Sequence, residues 1–191
     1  MKKQTLYILI FGLAILIIGG VFVMTLVRDS KTSQSQNPLD TKIVELTNTI
    51  QSDPQKIDSY IQLSGLYAQK IRETGDSSYY IKIDELLAEA LKIDPNNAEI
   101  FAAQARLSLG RHQFKEAKGL IEKSLAINPA EDSYYGILGD AELELGNYPE
   151  AVNAYQKEVN MNPNFSAFSR IAYIRELYGD IPGAIVAMDN A

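Results

Sequence analysis

From Leu39 onward, the chain is organised by apolar side chains at steps of three and four residues, the spacing of one buried helical face. The first such run is Leu39, Ile43, Leu46 and Ile50. It predicts one helix ending at Pro54, because proline cannot continue a helix. Similar runs follow toward the C-terminus and alternate with short polar segments. The pattern therefore predicts an all-α protein built from short helices.

Prolines divide this helical region into units of nearly constant length. Pro54, Pro95, Pro129 and Pro163 each follow Asp or Asn, at intervals of 41, 34 and 34 residues. A fixed period in the thirties is typical of stacked-repeat proteins, in which each unit buries the apolar face of its neighbour.

Each unit contains the pattern of two helices joined by a turn. In the third unit, Tyr135 and Leu138 mark the first helix, and Ala151 and Tyr155 mark the second. The segment "GNYPE" between them predicts the turn. The units are therefore expected to be antiparallel helix pairs.

The recurring residues resemble the signature of the tetratricopeptide repeat (TPR) family. That signature has an aromatic residue, Leu-Gly and Tyr in the first helix, then alanines, an aromatic residue and a final proline in the second. The third unit carries it most fully, at Tyr135, Leu138, Gly139, Gly146, Tyr148, Ala151, Tyr155 and Pro163. The resemblance implies a superhelical solenoid of antiparallel helix pairs. Glu158 departs from it, since the family has alanine there.

The expected organisation follows from these patterns. It comprises a transmembrane anchor at 1–28, a flexible linker at 29–38, a capping half-repeat helix at 39–56, TPR units at 57–97, 98–131 and 132–164, and an incomplete fourth unit at 165–191. The first unit has seven more residues than the second (41 against 34), which lengthen either its helices or its loop.

The anchor prediction rests on Leu6 to Val27, a stretch of 22 residues without a charge. As a helix it would span about 33 Å, which matches the roughly 30 Å hydrocarbon core of a bilayer. A cleaved signal peptide is the alternative, but its apolar region is shorter and ends in a small-x-small site that "FVMTLVRD" lacks. Lys2 and Lys3 favour a cytoplasmic N-terminus, with the remaining chain outside the cytoplasm.

The composition of the chain excludes several kinds of functional site. The chain has no cysteine, which excludes disulfides and thiolate metal sites, and its one histidine, His112, lies in a predicted turn. Residues 39–191 carry 14 Lys and Arg against 23 Asp and Glu, a net charge of −9, which argues against nucleic-acid binding. No arrangement of residues indicates catalysis or a cofactor site, so we expect a protein that is not an enzyme.

With catalysis and nucleic-acid binding not indicated, the remaining function is binding of a partner through the protein surface. In TPR proteins, the first helices of successive repeats line a groove that holds a peptide or a helix of a partner. The residues that the resemblance places in the groove here are Asp58, Gln62, Gln69, Glu99, Arg106, Asp140 and Glu144. This mildly acidic set indicates a polar or basic partner segment. Positions that clamp chaperone C-terminal carboxylates in some TPR proteins hold Ile61, Gly65 and Ala103, so that ligand class is not expected.

Three functional hypotheses follow. The first is a membrane-anchored TPR scaffold or adaptor, similar in layout to proteins of envelope assembly and biogenesis complexes. The second is an N-terminal targeting module of a longer enzyme whose catalytic domain follows Ala191. The third is self-association through the apolar end at 185–188.

Overall fold

The computed structural model describes residues 37–191, which form nine α-helices and no strand. Their bounds in chain order are Pro38–Ser52 (α1), Ile57–Thr74 (α2), Ser78–Ile93 (α3), Ala98–Gly110 (α4), Phe114–Ile127 (α5), Asp132–Glu144 (α6), Tyr148–Met161 (α7), Phe165–Leu177 (α8) and Ile181–Asp189 (α9). The predicted all-α fold is thus confirmed for the described part of the chain.

The predicted membrane anchor, 6–27, lies outside the described residues, as does most of the predicted linker. Within 37–191, no helix combines the length and the apolar character needed to cross a bilayer. The chain divides into two compact units at Lys42, and the repeats belong to the second unit, Ile43–Ala191.

Helices α2 to α9 form four successive pairs, α2–α3, α4–α5, α6–α7 and α8–α9, and the most extensive contacts are those within each pair. Each second helix also contacts the first helix of the next pair. In addition, α2 contacts α4 and α4 contacts α6, so the first helices of successive pairs lie side by side. This is the packing that a stacked repeat requires, because each pair covers the apolar face of the next.

The connections between pairs explain the proline period. The second residue of each connection is a proline, at Pro54, Pro95, Pro129 and Pro163. The Tyr60 hydroxyl donates a hydrogen bond to the carbonyl oxygen of Pro54 at 3.1 Å, and Tyr135 makes the same bond to Pro129 at 3.0 Å. The aromatic residue of the repeat therefore closes the connection that precedes it.

The turns within pairs need a backbone conformation that suits glycine. In the last two pairs, Gly146 and Gly179 adopt φ angles of 80° and 76°. His112 takes the equivalent place in the α4–α5 turn with φ 59°, and no other described residue except glycine has a positive φ. A side chain in the left-handed region costs free energy, so His112 occupies a position that favours glycine.

The seven extra residues of the first unit lie in its helices. Helix α2 has 18 residues against 13 in α4, and α3 has 16 against 14 in α5. The turn between α2 and α3 has three residues, 75–77, as does the turn 111–113. The longer-helix alternative is therefore the one that the structure adopts.

One apolar cluster of the core joins the first two pairs. Ile83, Leu87 and Ala90 of α3 pack with Ile100 and Leu107 of α4 in one cluster. The corresponding cluster of the last two pairs contains Tyr155, as the first contains Tyr60, and the buried carboxylate of Glu158 lies near it.

Candidate partner-binding surface

Two cavities open on the side of the stack that the first helices α2, α4, α6 and α8 line. The first, which we call the α2–α4 pocket, has a volume of about 410 Å³. Its lining residues are Ile61, Ser64, Gly65, Ala68, Ile71, Arg72, Tyr80, Ile83, Ala103, Arg106, Leu107 and Gly110. The walls are predominantly aliphatic, so the pocket offers apolar contact area to a ligand.

The charged groups of the α2–α4 pocket are both cationic. Arg72 and Arg106 line it, and no described acidic residue does. Burial lowers the pKa of Arg106, while nearby Tyr134, Glu131 and Glu99 act in the opposite direction. Neither glutamate lies within ion-pair distance of Arg106, although both are close enough to affect its pKa.

Small residues at two positions, one on α2 and one on α4, leave space for the pocket. Gly65 is eleven residues after Pro54, and Ala103 is eight residues after Pro95. A Cβ atom added at Gly65 meets no other atom within 4 Å, so the space beside it is open. At the far rim, the Tyr80 hydroxyl donates to the carbonyl oxygen of Gly110 at 2.9 Å and fixes α3 against the end of α4.

The second cavity, of about 510 Å³, is lined mainly by α6 and α8 and is bordered by a charged cluster. In this cluster, which we call the α6–α8 network, Arg170 donates to both carboxylate oxygens of Asp140 at 2.9 and 3.0 Å. Its third nitrogen donates to Glu158 at 3.1 Å and to the Ser166 hydroxyl at 2.7 Å. The Tyr155 hydroxyl also donates to Asp140, at 2.9 Å. Bonds of this charge-assisted kind hold α6, α7 and α8 together.

Burial sets the protonation of the network. Desolvation raises the pKa of Glu158, whose side chain is 4% exposed, against the opposing effect of Arg170. Desolvation and the Asp140 carboxylate also raise the pKa of Tyr155. Burial works to lower the pKa of Arg170, but the hydrogen bond to Asp140 and the negative charges of Asp140 and Glu158 together outweigh that effect and raise it. The tyrosine therefore remains a hydrogen-bond donor at neutral pH.

Two glycines of α6 leave room for the side chains of the α6–α8 network. A Cβ atom at Gly136 would lie 2.6 Å from a Glu158 carboxylate oxygen, and one at Gly139 would overlap the Tyr155 ring. Glu158 replaces the alanine of the TPR signature, and Gly136 provides the room that the larger side chain needs. Sequence reasoning noted the departure at Glu158 but not the glycine that accompanies it.

A second buried carboxylate has a different environment. Glu142 accepts from Lys118 of α5 at 2.7 Å and from the Asn147 amide at 2.7 Å. Burial acts to raise the pKa of Glu142, but these two donors outweigh it and hold the pKa below its ordinary value. The same contact with Glu142 raises the pKa of Lys118. This pair ties α5 to α6, with the Glu142 side chain buried and that of Lys118 partly exposed.

The sequence-predicted groove residues are distributed unevenly over the two cavities. Arg106 lines the α2–α4 pocket, and Asp140 and Glu144 line the second cavity. The remaining four lie on first helices outside both cavities: Asp58, Gln62, Gln69 and Glu99.

The expected acidic character is not found at the α2–α4 pocket, whose charged groups are arginines. The carboxylate of Asp140 is already bound by Arg170 and Tyr155, so it is not a free acceptor for a basic partner segment. The signal that sequence reasoning missed is a pair of opposite charges, Asp140 and Arg170, at positions where the first repeats have glycine and alanine.

The structure also bears on two kinds of site, one built on His112 and one that would hold a metal ion. His112 is an exposed turn residue whose ring lies edge-on to Phe114, with centroids 5.6 Å apart. Within residues 37–191, no cluster of His, Cys, Asp or Glu side chains has an arrangement that would hold a metal ion.

Comparison with known proteins supports a TPR-like helical repeat fold. The structure of MamA residues 41–end from Desulfovibrio magneticus RS-1 superposes with a TM-score of 0.59 at 18% identity, covering 86% of this chain and 90% of that one. Another MamA crystal structure gives a TM-score of 0.57 at 18% identity, covering 81% and 92%. At this level of identity, the likeness concerns the fold.

Two proteins are similar in sequence. The mitochondrial import receptor subunit TOM70 of Rattus norvegicus is 23% identical over 137 residues, 71% of this chain and 21% of the relative. The formate-dependent nitrite reductase complex subunit NrfG of Escherichia coli O157:H7 is 26% identical over 135 residues, 68% of this chain and 63% of the relative. The chain thus spans about a fifth of the receptor's length. No family model matches the chain.

Proposed function

We propose that the chain is a protein-interaction scaffold that binds partners along the side formed by α2, α4, α6 and α8. The observation that carries this proposal is the α2–α4 pocket, an open apolar cavity between two first helices. Pockets of this size and lining are ordinary ligand sites in proteins. The similarity to a receptor subunit and to a subunit of an enzyme complex agrees with an adaptor role.

The proposal includes a membrane anchor at residues 6–27, with the repeats outside the cytoplasm in an envelope assembly or biogenesis complex. It is supported by 22 consecutive residues without a charge and by the two lysines that precede them. Alkaline extraction of membranes tests the anchor, since a peripheral protein is released and a spanning one is retained. Protease treatment of intact and permeabilised cells tests the orientation.

We further propose that the role is binding and not catalysis. The charged groups of the α6–α8 network, which borders the second cavity, are engaged with one another, because Arg170 is bound to Asp140 and Glu158. His112, the only histidine of the chain, lies in a turn where its backbone conformation replaces that of a glycine. Neither arrangement provides a nucleophile paired with a base.

Site-specific photo-crosslinking in cells tests the scaffold proposal. The crosslinking residue replaces Gln62 on α2 or Glu144 on α6, both exposed, and Ala88, which is exposed on α3, serves as the control. We expect discrete adducts with the same protein from the two first-helix positions and none from Ala88. Equal labelling at all three positions would contradict the proposal.

A further inference from the structure

The α2–α4 pocket has the shape of a receptacle for a bulky side chain. Ile61, Ala68, Ile71 and Leu107 contribute aliphatic walls, and the volume of about 410 Å³ exceeds that of any single amino-acid side chain. Burying an aliphatic or aromatic side chain there is favourable by about 25 cal/mol per Å² of apolar surface. The anchor residue of a ligand should therefore be large and apolar.

The charge of the pocket indicates which residues of a ligand should lie beside its apolar anchor residue. Arg72 and Arg106 are its charged lining residues, and neither is ion-paired with another of the described residues. Both arginines are exposed, and guanidinium groups bind carboxylates through two parallel hydrogen bonds. A basic segment would instead meet like charges.

In the last two pairs, charged side chains occupy the positions equivalent to Gly65 and Ala103. Asp140 lies eleven residues after Pro129, as Gly65 lies eleven after Pro54. Its partner Arg170 is equivalent to Ala103, because the connection before α8 is one residue shorter. In the last two pairs, the Asp140 carboxylate and the Arg170 guanidinium occupy the space equivalent to the one that Gly65 and Ala103 leave open beside α2.

We propose that the α2–α4 pocket binds a segment of a partner protein that presents a large apolar side chain with a carboxylate beside it, the carboxylate contacting Arg106 and Arg72. This inference rests on the proposed scaffold function and specifies its partner. The apolar anchor fills the space next to Gly65, and the acidic residue supplies the charge that the pocket lacks.

The glycine provides a variant that closes the pocket without disturbing the fold. In Gly65→Leu, the new side chain enters open space, and replacing a helical glycine favours the helix. Gly119→Leu on α5 is the matched control, since a Cβ atom there also meets nothing within 4 Å and Gly119 does not line the pocket. Arg106→Glu tests the charge, with Lys115→Glu on α5 as the control of equal net charge.

The experiment selects ligands from a phage-displayed library of random peptides. The full chain is presented in lipid nanodiscs, and empty nanodiscs remove background binders. The most enriched peptide is then synthesised, and its Kd is measured against each variant by fluorescence anisotropy. Circular dichroism confirms that the variants remain helical.

We expect enriched peptides to combine a large apolar residue with Asp or Glu. Gly65→Leu and Arg106→Glu should each weaken binding by about tenfold or more, which corresponds to about 1.4 kcal/mol. Gly119→Leu and Lys115→Glu should leave the Kd within about twofold of the unmodified protein.

Enrichment of basic peptides, or binding that survives Gly65→Leu, would overturn the proposal. So would peptides that bind only after residues 1–36 are removed, because the chain's own segment would then fill the pocket. A loss of self-association in Gly65→Leu, without an effect on peptide binding, would assign the pocket to a second copy and would equally overturn it. If photo-crosslinking from Gln62 and Glu144 still captures a partner in these cases, the scaffold function stands and only the pocket assignment fails.

Discussion

The α2–α4 pocket and the α6–α8 network occupy equivalent places in the stack, but one is open and the other is filled. Beside α2, Gly65 and Ala103 leave an apolar cavity lined by two arginines, which form no ion pair within residues 37–191. Between α6 and α8, Asp140 and Arg170 bridge the same positions and join Glu158. One backbone arrangement thus accommodates either an open cavity or an internal contact, and the side chains at two positions decide which it is.

The largest effect should come from breaking the network. Arg170→Met leaves the buried carboxylate of Glu158 without its cationic partner and removes the two bonds to Asp140. Loss of one member of a buried pair costs about 3–5 kcal/mol, and the lower end applies here because Asp140 is partly exposed. Urea denaturation of the full chain in a mild detergent, followed by circular dichroism, measures it.

The control for this prediction is the double variant Arg170→Met with Glu158→Gln, which removes the buried charge as well. We expect it to recover part of the lost stability, since the uncompensated charge is then absent. Equal destabilisation in the single and double variants would show that the charge of Glu158 is not what Arg170 balances.

A second test compares two glycines. Gly139→Ala should destabilise the protein by about 1–3 kcal/mol, because the added Cβ atom overlaps the Tyr155 ring and the core must shift. The same urea titration detects the change. A neutral result would mean that α6 and α7 can move apart without loss, and the close packing of the filled region would then not be required.

The open region should respond in the opposite direction. Gly65→Ala adds a Cβ atom that meets nothing within 4 Å, so only the helix propensity changes. We expect a gain of up to about 1 kcal/mol. Destabilisation at this position would indicate that the pocket is not open, and thermal unfolding measured alongside the Gly139 variant would show it directly.

A smaller gain is expected in the turn between α4 and α5. His112→Gly removes the cost of a left-handed backbone at a non-glycine residue but loses the contact with Phe114 and increases the entropy of the unfolded chain. The balance should be a stabilisation of roughly 0.5 kcal/mol. His112→Ala should instead be neutral or destabilising, and differential scanning calorimetry of both variants distinguishes them.

The last test uses pH and compares two buried carboxylates. The pKa of Glu142 is held below its ordinary value, so its contribution to stability is present above the unfolded-state pKa and is lost as pH falls through the folded-state pKa. The pKa of Glu158 is raised, so its contribution is present at low pH and is lost as pH rises through the folded-state pKa.

These signs predict opposite slopes for the two glutamine variants. From about pH 3 to about pH 7, the stability of Glu142→Gln relative to the unmodified protein should fall as pH rises, and that of Glu158→Gln should rise. Urea midpoints at several pH values measure both. Parallel slopes would show that the two environments do not differ as the contacts indicate.

The sequence was sufficient to predict the helices and their pairing, for identifiable reasons. The period of Pro54, Pro95, Pro129 and Pro163 marks the connections, and the apolar spacing marks the helices. It was not sufficient to decide whether the first unit has longer helices or a longer loop, because residues 70–80 suit both. The structure decides this through the 18 residues of α2 and the 16 of α3.

The candidate site was less predictable, since it depends on contacts between residues far apart in sequence. Asp140 and Arg170 are 30 residues apart, and their pairing follows only when the connection before α8 is known to be one residue shorter. Asp140 was therefore expected to be a groove residue. Arg106 lies on α4 and lines the α2–α4 pocket, but the aliphatic walls around it are not evident from its sequence neighbours.

The repeat position of Gly65 also bears on how such a protein changes during evolution. In the four units, the residues at the position of Gly65 are Gly65, Arg106, Asp140 and Tyr173, four side chains of different chemistry on the same helical scaffold. A duplicated unit can thus acquire a new ligand preference, or lose one, by substitutions that leave the backbone where it was. Selection on partners can act on one unit while selection on folding acts on its neighbours.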